Sequence, residues 1–240
     1  MMSAVPQTDM PEESPLLVAI GDIHGRADLL AKLLRRLEKK LRDEPYRLVF
    51  LGDYVDRGAE SREVLNMLLG LQDRYPDTVF LRGNHEQAML DFLAAPEDTA
   101  EWLEWGGAET LMSYGIKARA AEDLVSLQEE FANVLPDSHF KFLMSLPLYE
   151  EIGPYLFVHA GIDPHRPIEE QSERDFLWIR EPFLQAEEHH FSGPVIVHGH
   201  TPVKKAENLP WRINLDTGAF WSSRLTAAIL DGEKRRFVTT

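Results

Sequence analysis

Five short turns carry most of the side chains in this chain that could do chemistry. They are Gly21-Asp22-Ile23-His24-Gly25, Gly52-Asp53-Tyr54-Val55-Asp56-Arg57-Gly58, Gly83-Asn84-His85-Glu86, His159-Ala160-Gly161 and His198-Gly199-His200-Thr201-Pro202. Five of the nine histidines fall in them, too many to attribute to chance. Buried carboxylates are costly without partners, so turns this charged do not serve packing alone. Brought together, two Asp, an Asn and several His make a ligand set for two divalent ions. Such ions, roughly 3.5–4 Å apart, lower the pKa of a shared water and clamp a phosphoryl oxygen. One ligand must touch both, and a carboxylate can bridge. Arg57 and Arg180 are then available for the remaining phosphate oxygens.

The elements that must position these turns are legible as apolar runs. Leu16–Ile20, 47–51, 78–81, Tyr155–Val158 and 195–197 read as buried strands, each running into one of the turns. Between the first three, Leu30, Leu33, Leu34, Leu37 and Leu41, then Val64, Leu65, Leu68, Leu69 and Leu71, recur at helical steps. Glu38 and Arg42 are expected to pair on the outer face of the first helix, which Pro45 closes. Strand, charged glycine turn and helix, repeated, is α/β architecture, with functional loops at the carboxyl ends of strands. Residues 87–147 are helical in pattern and read as an insertion beside the sheet, with Trp102 and Trp105 as packing. The run 212–215 reads as a further strand entering Asp216-Thr217-Gly218, and 225–230 and 236–240 read as closing strands. One domain over 15–240 is expected, after a disordered polar lead at 1–14.

Composition removes several classes of function. The absence of cysteine excludes thiolate nucleophiles and thiolate metal sites. Any metal must be held by His, Asp, Glu or Asn, which suits hard or borderline divalent cations. A net charge of −15 argues against non-specific binding to nucleic acid or anionic membranes. No apolar run approaches the roughly 20 residues of a membrane span, and the start lacks the features of a signal peptide. The cytoplasm is the expected compartment.

The turns, in this order and each after a strand, resemble those of the calcineurin-like metallophosphoesterases, over about residues 16–230. Within them the chain is similar to phosphoprotein phosphatases, especially bacterial and bacteriophage lambda-type serine/threonine phosphatases. The resemblance implies a β-sandwich of two mixed sheets flanked by helices, refining the plain α/β reading. It also implies that Asp22 and His24 bind one metal, that Asp53 bridges to the second, and that Asn84, His159 and His200 complete the second. His85 would be the general acid, oriented by Asp56. Arg57, Arg180 and Asn84 would bind phosphate. The implied reaction is direct attack on phosphorus by a hydroxide bridging two ions of Mn, Fe, Zn or Co, on a phosphoprotein or a small phosphate ester. Asp56 and Glu86 favour the protein phosphatases; the alternatives are hydrolysis of dinucleoside polyphosphates such as diadenosine tetraphosphate, or a phosphoprotein-binding module without chemistry.

Other candidates have plainer expectations. His198 falls where its strand should end and is read as support or packing, with His200 the ligand. His189-His190 is read as surface, His139 as a core-edge histidine, and His165 as a candidate for the rim of the site. Asp216 is expected to cap its turn, and Arg82 to make structural pairs.

Overall fold

Alternation along the strands builds the layers. The computed structural model describes residues 15–42, 44–117, 123–187 and 193–240; the 1–14 lead and His189-His190 lie outside them. In β1 (Leu16–Ile20), Leu17 and Ala19 enter one apolar cluster while Val18 and Ile20 enter another on the opposite face. β2 (Tyr46–Phe50) runs parallel to β1, with Leu16 opposite Tyr46 and Ile20 opposite Phe50. β3 (Val79–Phe80) extends the parallel set, and β9 (Thr226–Asp231) and β10 (Lys234–Thr239) add antiparallel neighbours on the other side. The order of this sheet is β10-β9-β1-β2-β3.

The second sheet has the order β4-β5-β6-β8-β7, from β4 (Tyr149–Ile152), β5 (Tyr155–Val158), β6 (Val195–His198), β7 (Glu207–Asn208) and β8 (Arg212–Asn214). Its three central strands are parallel and its outer two antiparallel. Leu17, Ala19, Val49 and Leu51 of the first sheet pack against Phe157, Val197 and Ile213 of the second. The fold is therefore two mixed sheets face to face, as the resemblance implied.

Helices cover the outer faces. Val18, Ile20, Leu48 and Phe50 meet Leu30, Leu33 and Leu37 of α1 (Ala27–Leu41) and Val64, Leu65 and Leu68 of α2 (Ser61–Arg74). The same cluster takes in α3 (Asn84–Ala94), α4 (Ala108–Ser113), α5 (Leu124–Val134) and α6 (Asp137–Ser145). On the far side, Leu156, Val158 and Ile196 are covered by Phe176 of α7 (Glu173–Trp178), Phe183 and Trp211. A short α8 (Ala219–Ser222) precedes β9. Among the described residues, no helix is long and apolar enough to cross a membrane.

Several local expectations are corrected. α1 stops at Leu41, because Arg42 takes a left-handed φ of 41°, which ends the helix before Pro45 is reached. Glu38 lies 3.7 Å from Arg74 instead of pairing with Arg42. Strands β4 and β7 went unread: the first carries two glutamates at a sheet edge and the second is two residues long. Trp102 is buried against Phe92 and Phe131, but Trp105 is exposed and meets Trp178.

Candidate metal centre

The strand ends are bonded to one another just beyond the sheets, which sets the turns side by side. Leu51 N–H donates to Ile20 O (3.0 Å), Leu81 N–H to Phe50 O (2.9 Å), Gly199 N–H to His159 O (2.8 Å) and Leu215 N–H to His198 O (2.9 Å). The two sheets are joined where His159 Nδ1–H donates to Leu51 O at 2.9 Å. The approach requires glycine: a Cβ on Gly83 would lie 2.2 Å from Asp53 Oδ1, and one on Gly199 2.0 Å from Asp22 Oδ1. His24, Asp53, Asp56, Arg57 and His200 all take left-handed φ values between 47° and 70°. They are five of the seven non-glycine residues with positive φ among the described residues, so strain is concentrated at one place.

Asp53 is the centre of that place. Its Oδ2 lies 3.4 Å from His24 Nε2 and its Oδ1 3.3 Å from His159 Nε2. Two groups of potential metal ligands share it, His24–Asp53–His85 and Asp53–His159–His200. Asn84 Oδ1 lies 2.9 Å from both His159 Nε2 and His200 Nδ1. Asp22 stands beside these groups, its carboxylate accepting the His200 N–H at 3.0 Å.

The donor chemistry fits divalent cations. His24 Nδ1–H donates to Val55 O (2.9 Å) and His159 Nδ1–H to Leu51 O, and a carbonyl can only accept. In the neutral rings, both Nε2 atoms are therefore bare lone pairs, aimed at the Asp53 carboxylate and, for His159, at the Asn84 carbonyl. Lone pairs converging on lone pairs repel unless a cation lies among them. Burial depresses the pKa of His24 and His200 to about 3 and lowers that of His159, so these rings are neutral, as metal ligation requires. Burial opposes the charge of Asp53 as well, but attraction to the rings of His159, His85, His24 and His200 as they take up protons at low pH brings its pKa below the ordinary value. Burial, with Asp216 and Asp53 nearby, pushes Asp22 well up, so the pocket as built is short of positive charge.

His85 has a different environment. Its Nδ1 lies 2.7 Å from Asp56 Oδ2. Burial lowers its pKa, but the Asp53 charge and the hydrogen bond to Asp56 outweigh that and raise it above the ordinary value. Asp56 is completely buried, and it accepts hydrogen bonds from the Trp102 indole N–H (2.9 Å) and the Thr110 hydroxyl (2.6 Å). Arg57 Nη2 lies 3.1 Å from His85 Nε2, and its guanidinium sits 5.0 Å above the ring of Phe220. Arg180 Nε lies 3.4 Å from His200 Nε2. Both arginines thus border the ligand cluster.

Several contributors were not read from the sequence. Trp102 and Thr110 look like ordinary helix residues and are connected to Asp56 only by the tertiary fold. Phe220 gave no signal. Glu86 organises two turns at once: its carboxylate accepts N–H bonds from Asp53 (2.8 Å), Tyr54 (2.7 Å), Val55 (3.2 Å) and Gly83 (2.9 Å). Its place after Asn-His is visible in the sequence, whereas its bonds to Asp53, Tyr54 and Val55 arise only from the tertiary fold.

The remaining candidates are dispersed. His198 lies against Arg212 (3.4 Å) and Phe183, outside both ligand groups. His139 is buried between Tyr114 (2.7 Å) and Asn66 (3.0 Å). His165 borders a separate cavity with Pro164, Ile168 and Pro194, not the rim of this site. Arg82 bonds to Gln87 and the Met144 carbonyl. Asp216 accepts the Gly218 N–H at 2.9 Å and so caps its turn, yet burial lifts its pKa to about 6 and its charge reaches Asp22.

A two-sheet sandwich whose strand ends gather neutral imidazoles, carboxylates and two arginines defines a hydrolase of phosphoric esters. The chain belongs to the calcineurin-like phosphoesterase family, whose model matches residues 16–223. A bis(5'-nucleosyl)-tetraphosphatase PrpE [asymmetrical] of Oceanobacillus iheyensis is 27% identical over 229 residues, covering 87% of this chain and 86% of that protein. A crystal structure of a putative diadenosine tetraphosphatase superposes with a TM-score of 0.65 at 23% identity, covering 96% of each chain. A cold-active protein-tyrosine phosphatase of a psychrophile, Shewanella sp., superposes with a TM-score of 0.60 at 19% identity, covering 93% of this chain and 80% of that one.

Proposed function

We propose that this protein hydrolyses dinucleoside polyphosphates or closely related small phosphate esters. What carries the reading is the similarity, along most of both chains, to relatives named as bis(5'-nucleosyl)-tetraphosphatases, joined to a site with the donors that phosphate hydrolysis needs. The serine/threonine phosphatase expected from the sequence is not what these relatives favour. Asp56 and Glu86, which pointed that way, serve needs common to both substrates. Glu86 binds four backbone N–H groups and Asp56 holds a histidine.

Asp22, His24, Asp53, Asn84, His159 and His200 would hold divalent cations, with Asp53 common to both ligand groups. Bound there, the cations would supply Lewis acidity toward the phosphoryl oxygens and a more acidic nucleophilic water. Arg57 and Arg180 bind and orient the phosphate, bringing the positive charge that an acidic pocket otherwise lacks. Asp56 fixes the Nδ1 proton of His85, which leaves Nε2 to deliver a proton to the departing oxygen. Once Arg57 turns to a phosphate, His85 Nε2 is released from its 3.1 Å contact and can carry that proton. In this reading the six ligands, His85, Asp56 and both arginines belong to one domain over 15–240, with the helices of 87–147 as its insertion.

The test is a substrate panel on protein supplied with Mn²⁺, comparing kcat/KM for diadenosine tetraphosphate with that for a phosphoserine peptide. The dinucleotide should be preferred. A preference for the peptide would overturn the reading and restore the protein phosphatase.

A further inference from the structure

Beside Arg180 the surface opens into a cavity of about 1150 Å³ with two indoles at its wall, Trp105 and Trp178. Both are unusually open for their size, 42% and 38% exposed, and they meet edge to face with ring centroids 5.4 Å apart at 68°. We propose that this pair stacks a nucleobase of the substrate whose phosphate is held by Arg57 and Arg180. The inference rests on the proposed dinucleoside polyphosphate chemistry and extends it to the part of the substrate that does not react.

Position supports it first. Trp105 lies in the π-helical turn Leu103–Gly107, in which the carbonyl of the next residue, Gly106, accepts the Arg57 N–H at 3.2 Å. Trp178 ends α7, two residues before Arg180, and its ring meets His200 edge to face at 6.1 Å. The two segments that set the phosphate-binding arginines therefore also set the indoles. They come from opposite sides of the fold, one from the helical segment over the first sheet and one from the helix over the second. Neither indole is placed where it completes a core. The exposed aromatic area is a cost that a flat, apolar ligand would remove.

Charge says what kind of group fits. The cavity wall carries five carboxylates, of Asp91, Asp163, Glu173, Asp175 and Glu181, against the guanidinium groups of Arg174 and Arg180. Further phosphates extending that way would be repelled. A nucleoside is neutral, offers hydroxyl and amino donors to carboxylates, and presents a π face to indole. A basic phosphopeptide would also suit the carboxylates and can lay a guanidinium on an indole, so its dependence on the indoles is one outcome of the test.

AMP and ribose 5-phosphate differ by the base alone, and their binding to the full chain with Mn²⁺ supplied can be followed by isothermal titration calorimetry. AMP should bind the wild type at least about tenfold more tightly, the scale expected of one base stacked on aromatic rings. Trp105→Leu and Trp178→Leu should each lose most of that advantage, and in Trp105→Leu the ribose 5-phosphate affinity should stay the same. Trp105 touches no proposed ligand, so its variant reports on the indole alone. Equal binding of the two probes by the wild type, or an AMP advantage that survives in both variants, overturns the proposal. So does a phosphoserine peptide flanked by arginines that depends on the indoles more than AMP does. A wild type that hydrolyses diadenosine tetraphosphate without preferring AMP refutes the stacking rim alone. One that binds AMP through the indoles but leaves the dinucleotide intact refutes the proposed activity alone.

Discussion

Replacing Glu86 by Gln at pH 8 should destabilise the protein severely. Each oxygen of the completely buried Glu86 accepts two backbone N–H bonds, Oε1 from Tyr54 and Val55 and Oε2 from Asp53 and Gly83. Burial, then the Asp53 charge, raises its pKa to about 7, and above that value all four donors face an ionised group. Glutamine keeps one acceptor oxygen and turns an NH₂ toward the other two donors. Two charge-assisted bonds are lost at about 1.5–3 kcal/mol each, roughly 3–6 kcal/mol in all. That is a large share of the ~5–15 kcal/mol by which domains are stable. With a urea slope near 3 kcal/mol/M, the unfolding midpoint should fall by about 1–2 M, read by far-ultraviolet circular dichroism. Glutamine closely mimics a protonated carboxyl group. A midpoint within ~0.3 M of the wild type would mean that Glu86 is neutral and that the four-donor reasoning is wrong.

Other expectations follow from the same geometry. His85→Asn should slow alkyl phosphates by roughly 10²–10⁴-fold, and dinucleoside polyphosphates much less, because a phosphate leaving group needs little proton donation. Steady-state rates on both substrates decide this, and equal slowing would remove His85 as the acid. Asp53→Asn should abolish turnover and reduce bound metal, measured by elemental analysis of the folded protein. In the same assay His200→Ala should lose an ion and His198→Ala should not. His139 has a pKa lowered by burial, so its contribution to stability is present above the unfolded value of about 6.5 and is lost as the pH falls below it. His139→Gln should therefore flatten the decline of the urea midpoint between pH 7.5 and pH 5, and an unchanged slope would refute that linkage.

The parts of the site that come from strand ends were legible because they are local. Asp53, Asn84, His159 and His200 each follow an apolar run, and parallel strands must deliver their carboxyl ends to one edge. The parts that aim those residues were not legible. Trp102 reaches Asp56 across 46 positions and Thr110 across 54, and nothing in a helical repeat marks which member will donate a hydrogen bond. Trp105 failed for a related reason: three-residue spacing from Trp102 suggests one shared face. Gly106, at φ 112°, breaks the helix just after it and leaves Trp105 exposed. Asp56 and Glu86 do not decide substrate choice: Glu86 binds four backbone N–H groups and Asp56 is bonded to His85, while the similar proteins named as bis(5'-nucleosyl)-tetraphosphatases favour the dinucleotide alternative.

The helical stretch between β3 and β4 is consequently not an exchangeable cassette. Segments inserted between strands are natural targets for recombination when a scaffold acquires a new substrate. Here the inserted helices carry Trp102 and Thr110, which fix Asp56, and Gly106, whose carbonyl holds the backbone of Arg57. A chimaera that swapped this stretch to alter the cavity would also release the partners of Asp56 and the backbone contact of Arg57. Under the proposed function, substrate preference is more readily altered by substitution at exposed positions such as Trp105, with the three inward contacts retained.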